Sequence, residues 1–287
     1  MTSEPFAGRP WLMAARPHTL WTGVAPVLVG AGLGRHDGAF RWDALLVTLF
    51  AALAIQVGVN FANDVADAGK GADTEHRIGP QRAVASGLIT PRAMWGGIAV
   101  AFGLAAAAGA YLIYLGGWPI FIIGVVSIVA ALGYTNGPIP YGYRGLGEVF
   151  VFLFFGLAAT VGTRWVFDRS APASAWVLAI PMGLLAAAVL VANNVRDLDT
   201  DAAAGKRTLA VILGRDRTRV LYAALMITPF IIIGAAAPLG WIPPWTAIAV
   251  AATPLVVPLV RLVATETGGP PLIAALKGTS RLQVLVA

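Results

Sequence analysis

Long apolar runs, broken by short clusters of glycine, proline and charge, set the pattern of this chain. The runs over residues 17–34, 42–62, 92–115, 118–137, 145–167, 174–195, 218–238 and 244–263 each predict a helix. At 1.5 Å per residue, such runs approach or exceed the ~30 Å thickness of a bilayer core. The breaks read GRHDG, LGGWP, TNGPIPYGYRG, DRSAPAS, GWIPP and TETGGPP, where glycine and proline punctuate helices. A ninth apolar segment begins near Leu272, but only sixteen residues follow Pro271, and Lys277, Gly278 and Arg281 interrupt them. Sixteen residues rise at most ~24 Å as a helix. The expectation is a segment that starts at the face of the acid-rich loops and ends inside the bilayer, as part of a longer native helix. A stretch lying flat on the surface is the alternative. The predicted fold class is thus all-α: a polytopic membrane bundle of eight complete transmembrane helices plus a partial ninth. No long polar linker divides it, so residues 1–287 read as one membrane domain.

Composition agrees. Of 287 residues, 58% are hydrophobic and 12% charged, with a mean hydropathy of +0.76. Soluble domains carry about 25% charged residues. The net charge of +6 does not imply nucleic acid, because the basic residues are scattered among acids rather than gathered into an arm. They set orientation instead. With the N-terminus cytoplasmic, only Arg35, Arg41, Arg164 and Arg169 fall on the opposite side, and the other sixteen face the cytoplasm. This predicts a multi-pass protein of the plasma membrane with its acid-rich loops cytoplasmic. Arg9 and Arg16 precede an apolar run as in a signal peptide, but Pro17 and Pro26 interrupt it and no small-x-small cleavage site follows. The run reads as a retained first helix. The absence of cysteine excludes disulfides, thiolate metal sites and thiol catalysis.

The chemistry concentrates in two polar stretches that each follow an apolar run. NFANDVADAGKGADTEHRIGPQRAV, residues 60–84, brings Asp64, Asp67, Asp73 and Glu75 to a helix mouth; NNVRDLDTDAAAGKRTLAVILG begins at Asn193, 133 positions beyond Asn60. The chain therefore reads as two related halves, about 15–137 and 145–287, each with an acidic site, and such repeats commonly place a site at their interface. Asn60, Asp64 and Asp67 are spaced i, i+4, i+7, and Asn193, Asp197 and Asp201 are spaced i, i+4, i+8. Each set lies on one face if its helix continues past the membrane boundary; Asn63 and Asp199 lie off the stripes. Stacked carboxylates must protonate or find a cation. An all-oxygen set without histidine or cysteine suits Mg²⁺, which keeps waters and is shared with substrate phosphates. The competing reading is that these acids are solvated loop charges balancing nearby lysine and arginine, which leaves the asparagine at the inner end of both stripes unexplained. Arg82, Lys206 and Arg207 either clamp a diphosphate or act as topological anchors. Tyr134, Tyr141, Tyr143 and Arg144 sit where tyrosines commonly anchor a membrane interface.

NDVAD…GAD with NNVRDLDTD, each at a helix end, resembles the paired Asp-rich motifs of the UbiA-superfamily intramembrane prenyltransferases. PYGYRGLGEVFVFLFFG and VLVANNVRDLDTDAAAGKRTLAVILG, together with residues 60–91, are similar to the 1,4-dihydroxy-2-naphthoate polyprenyltransferase branch, MenA type, from about Ala15 to Arg219. The resemblance implies helices around a central cavity under a cytoplasmic cap. It implies Mg²⁺-dependent transfer of a polyprenyl group from polyprenyl diphosphate to 1,4-dihydroxy-2-naphthoate, with loss of the carboxylate, giving demethylmenaquinone in menaquinone biosynthesis. The isoprenoid tail would stay in membrane lipid. The metal residues it implies are Asn60, Asn63, Asp64, Asp67, Asp73, Asn193, Asp197 and Asp201, with Asp64, Asp67, Asp197 and Asp201 catalytic. Lys70, Arg82, Arg196, Lys206 and Arg207 would bind diphosphate, and Arg16, Tyr134, Tyr141 and Arg144 the aromatic acceptor. Two departures stand out: Gly71 occupies the place of the superfamily's third Asp, with Asp73 nearby, and the terminal segment is short. The rival readings are a sister enzyme using another acceptor, such as 4-hydroxybenzoate, haem or a sugar phosphate, and a cation-coupled transporter. A transporter would place its ionisable residues nearer mid-membrane.

Overall fold

Each apolar run becomes a helix in the computed structural model, which describes residues 10–69, 82–137 and 140–287. The described residues form no strand. The long helices are α1 (Pro17–His36), α2 (Trp42–Gly69), α3 (Pro91–Gly116), α4 (Trp118–Gly133) and α5 (Gly147–Asp168). They continue with α6 (Ala173–Arg196), α7 (Arg215–Ala236), α8 (Pro244–Thr265) and α9 (Pro270–Val286). Six of them, α2, α3 and α5 to α8, are long and apolar enough to cross a membrane. Exposed Trp42, Trp118, Trp176, Trp241 and Trp245 sit near one end of the bundle, as interfacial tryptophans do.

The boundaries differ from the apolar pattern where helix and membrane part company. Helix α2 runs seven residues past the apolar run to Gly69, because a helix can carry polar side chains whose partners lie nearby. Helix α4 stops at Gly133 instead of 137, and a turn over residues 134–137 takes over. Helix α7 starts at Arg215, where Gly214 at φ 77° supplies the sharp entry. The first half of α8, Pro244–Leu255, is a 3₁₀ helix.

Helix α6 is the hub and packs against α1, α5, α7 and α9. The α5–α6 contact depends on glycine: a Cβ on Gly156 would lie 2.6 Å from the Cα of Gly183. Small residues allow this approach where lipid supplies no hydrophobic driving force. The adjoining stretch of α5, Phe152–Ala158, is a π-helix, a form that recurs at functional sites. At the end remote from the acid clusters, buried Arg164 donates from Nε to Asp37 (2.9 Å) and from Nη1 to Asp168 (2.5 Å), clasping α5 to the end of α1. Trp165 Nε1 adds a bond to the Gly116 carbonyl (2.8 Å).

Helix α9, 17 residues long, packs lengthwise on α6, α1 and α8. Ser280 donates to the His18 carbonyl (3.0 Å) and Gln283 to the Met182 carbonyl in the middle of α6 (3.4 Å). Lys277 and Arg281 lie on its exposed face.

Candidate active site

The last turns of α2 are buried although polar. Asn60 donates from Nδ2 to the Ala15 carbonyl (2.8 Å) and to Thr19 Oγ1 (3.1 Å), which ties α2 to the start of α1. Asn63 accepts from Thr135 Oγ1 (2.9 Å). Asp64, 1% exposed, accepts the backbone N–H groups of Ala83 (3.1 Å) and Val84 (2.9 Å). Asp67, 2% exposed, accepts from Arg82 Nη2 (2.9 Å) and from the Tyr143 hydroxyl (2.7 Å). Both carboxylates thus spend both oxygens on N–H or O–H donors from outside α2.

In the second cluster α6 ends at Arg196. Asp197, at φ −93° and ψ 6°, interrupts the helix, and Asp201 rides on the short helix Leu198–Ala203. The condition that one continuous helix carry all three residues is met by the first stripe and not by the second. Arg196 folds back on its own cluster, donating to Asp197 (2.7 Å from Nε) and to Asn193 Oδ1 (2.8 Å). Lys206 Nζ lies 3.7 Å from Asp201.

Tyr143 joins the two clusters. Its hydroxyl is on Asp67, while Lys206 Nζ sits 5.1 Å from its ring centre and reaches Asp201 beyond. Tyr134 responds to both as well: burial pushes its phenol well above the usual range, and the charges of Glu148, Asp67 and Asp201 push it the same way. It stays neutral.

Beneath these groups lies a cavity of about 530 Å³. Asn60, Asn63, Asp67, Arg82, Asn193 and Lys206 stand on its wall at the acid end, and Phe150, Phe154, Phe155, Val189 and Leu190 line it deeper in. The Tyr141 ring stacks on Phe150 (3.9 Å between centroids), and its hydroxyl donates to the Ala130 carbonyl (2.8 Å). Arg16 also lines the cavity, held at φ 50° immediately before Pro17. A non-glycine residue in the left-handed region is strained, and such strain collects at functional sites.

The sequence pattern of the UbiA prenyltransferase family matches residues 23–275. The chain belongs to this family. It is 39% identical to the 1,4-dihydroxy-2-naphthoate octaprenyltransferase of Mycobacterium leprae, over 96% of this chain and 93% of that protein. It is 38% identical to the enzyme of that name from Escherichia coli, over 75% of this chain and 72% of that one. In fold it is similar to a UbiA homolog from Aeropyrum pernix, with a TM-score of 0.74, 14% identity and coverage of 94% and 95%. It is also similar to a UbiA homolog from Archaeoglobus fulgidus bound to DMAPP and Mg²⁺, with a TM-score of 0.68, 17% identity and coverage of 96% and 97%.

Within this UbiA-family bundle the residues singled out from sequence separate into groups. Asn60, Asn63, Asp67, Arg82, Asn193, Lys206, Arg16, Tyr134 and Tyr141 share the cavity. Asp64, Asp197 and Arg196 are buried behind its wall, and Asp201 is half-buried beside Lys206. Arg144 and Arg207 are exposed and away from it. Lys70 and Asp73 lie outside the described residues. The sequence reading passed over three participants. Tyr143 was grouped with interfacial tyrosines. Asn194, on the cavity wall, donates to buried Glu148 (2.8 Å), the lone acid of an apolar run. Gln56 lies four residues before Asn60, and that interval was its signal.

Proposed function

We propose that this protein transfers a polyprenyl group from polyprenyl diphosphate to 1,4-dihydroxy-2-naphthoate, with loss of the carboxylate as CO₂, giving demethylmenaquinol, the reduced form of demethylmenaquinone, in menaquinone biosynthesis. The chain of contacts from Asp67 through Tyr143 and Lys206 to Asp201 carries the reading, because it draws two clusters 133 positions apart to the mouth of one cavity. The names of the relatives in Mycobacterium leprae and Escherichia coli support the choice of acceptor.

The donor set fits Mg²⁺: carboxylate and amide oxygens, with Asp64, Asp67 and Asp197 buried among N–H and cationic partners. Among the described residues no three acidic or histidine groups gather into a cage of their own. Mg²⁺ completes its shell with water and substrate oxygens. Asn60, Asp64, Asp67, Asn193, Asp197 and Asp201 would hold it, with Asn63 and Asp73 as further ligands. When bound, Mg²⁺ neutralises charge on the leaving diphosphate. Arg82 and Lys206, with Lys70, bind the diphosphate oxygens and stabilise the charge that grows as the allylic C–O bond breaks. Arg196, expected from the sequence to bind diphosphate as well, is turned onto Asp197 and Asn193 and holds them in place. The electron-rich ring then attacks the allylic carbon, and the C–CO₂ bond breaks to restore aromaticity. Arg16 binds the acceptor carboxylate, and Tyr134 and Tyr141 wall the ring. The apolar cavity keeps water from the allylic cation.

In this reading the bundle spans the plasma membrane with eight complete helices and α9 as a partial ninth, under a cap at the acid end. Its halves, about 15–137 and 145–287, are repeats. The N-terminus and acid clusters face the cytoplasm, where most basic residues fall. The test is incubation of purified protein with Mg²⁺, a polyprenyl diphosphate and, in turn, 1,4-dihydroxy-2-naphthoate and 4-hydroxybenzoate. Prenylated, decarboxylated product from the naphthoate is the expected result. Turnover of the benzoate alone would reassign the acceptor, and no transfer to either would refute the reading.

A further inference from the structure

The face of α2 that carries Asn60 and Asp64 continues inward through Gln56, Ala52 and Thr48 at intervals of four residues. Gln56 lines the cavity, as do Thr19 and Thr22 of α1 across from it. One hydrogen bond orients its amide. Nε2 donates to the Thr19 carbonyl (3.4 Å), which can only accept, so the amide nitrogen takes that side and Oε1 the other. Gln56 is 8% exposed, and Oε1 is buried with no hydrogen-bond partner among the described residues. Thr22 Oγ1 is in the same condition. A helical threonine commonly bonds back to the carbonyl four residues earlier. Here that carbonyl, His18 O, accepts Ser280 of α9 (3.0 Å). Pro26 has no N–H to offer the Thr22 carbonyl in the helical ladder.

Residues on one wall of the cavity therefore carry unmet oxygens just beneath its surface, about 6 Å along the helix axis from Asn60. Buried polar atoms are normally paired, and an unpaired one is costly. The chemistry of these atoms selects their ligand. Gln56 Oε1 can only accept, so it repels a carboxylate or a diphosphate and takes an O–H, and the Thr22 hydroxyl can accept one beside it. We propose that Gln56 Oε1, seconded by Thr22, accepts a hydrogen bond from a ring hydroxyl of the aromatic acceptor and so orients the ring one helical turn below the diphosphate site. This rests on the acceptor reading above and adds a specificity residue to it. An acceptor lacking that hydroxyl leaves the wall unpaired, which is how a site built for a hydroxyl rejects its deoxy analogue.

The test uses purified full-length protein with Mg²⁺, polyprenyl diphosphate and 1,4-dihydroxy-2-naphthoate as the turnover reaction. 1-Hydroxy-2-naphthoate and 4-hydroxy-2-naphthoate, each lacking one hydroxyl, serve as competing ligands. In the wild type one of them should bind more weakly than the other by on the order of tenfold, the worth of a lost buried hydrogen bond. Gln56→Leu should abolish that difference and raise KM for the dihydroxy acceptor, while KM for the diphosphate stays within about twofold. The inference is overturned if Gln56→Leu keeps the wild-type difference, or if the two analogues compete equally well against the wild type, a result that needs no variant to fold. Failure of the functional reading looks different: the wild type would not turn over 1,4-dihydroxy-2-naphthoate, and this inference would fall with it.

Discussion

Replacing Asp67 by asparagine separates two roles of one carboxylate. The residue is 2% exposed, and its carboxylate receives Arg82 at 2.9 Å on one oxygen and the Tyr143 hydroxyl at 2.7 Å on the other. Asparagine keeps its shape and an oxygen for Tyr143 but offers Arg82 no charge. A hydrogen bond to a charged group contributes about 1.5–3 kcal/mol, and stranding one ion of a buried pair costs about 3–5 kcal/mol. Arg82 has further partners, so the lower end applies, and Asp67→Asn should lose about 2–3 kcal/mol of stability. Loss of a charged ligand used in the transition state should lower kcat by about 10²–10³-fold. The assays are denaturant unfolding in detergent and transfer of a labelled prenyl group at saturating substrates. The double variant Asp67→Asn/Arg82→Gln carries no stranded ion. It should recover most of the lost stability, with a coupling energy of about 1.5–3 kcal/mol, and none of the lost rate. If the double variant regains rate together with stability, or if Asp67→Asn keeps more than about a third of wild-type kcat, Asp67 is a structural clasp and the catalytic assignment is wrong.

Four further outcomes follow from the same geometry. EDTA should abolish transfer and Mg²⁺ restore it; full activity in metal-free buffer would contradict the all-oxygen site. Asp197→Asn alone should reduce turnover about a hundredfold, and a near-normal rate would make the second cluster a solvated turn. Arg82→Ala and Lys206→Ala should raise KM for the diphosphate more than KM for the acceptor, and unchanged diphosphate dependence in both would return them to the role of topological anchors. Tyr143→Phe keeps the ring under Lys206 but removes the bond to Asp67. It should cost about five- to tenfold in kcat, against a larger loss for Tyr143→Leu, and equal rates for the two variants would show that the tyrosine does not couple the clusters.

The helices were legible because a chain in lipid must satisfy its backbone internally, so apolar run and helix nearly coincide. The coincidence fails at α2, whose last two turns or so continue beyond the apolar run to Gly69. Hydropathy marks where the environment changes and carries no signal for where the hydrogen-bond ladder ends. The acids themselves were legible by their intervals, and so, in retrospect, was Gln56, a lone amide in an apolar run four residues before Asn60. Arg144 and Arg207 show what loop composition leaves out. The positive-inside tendency gathers basic residues at one face whatever they do there, and only tertiary structure separates Arg82, turned in toward Asp67, from Arg207, left exposed.

The convergence of the two clusters was legible as a side and not as a distance. Between the end of α2 and the end of α6 the chain crosses the bundle four times, through α3, α4, α5 and α6, and an even number of crossings returns it to the starting face. That argument holds for any loop at that face and would hold if the clusters were at opposite rims of the bundle. The gap is closed by the turn that leads from α4 into α5, where Gly142 packs so tightly that a Cβ there would lie 2.8 Å from the Tyr134 carbonyl. This fold brings the next residue, Tyr143, against Asp67 with its ring toward Lys206. A turn belonging to neither Asp-rich stretch thereby connects both. If that is its role, lengthening the turn should uncouple the clusters while leaving every carboxylate in place: inserting one alanine after Gly142 should lower kcat at least as far as Tyr143→Leu. An insertion variant that turns over like the wild type would show that the two clusters meet without this turn.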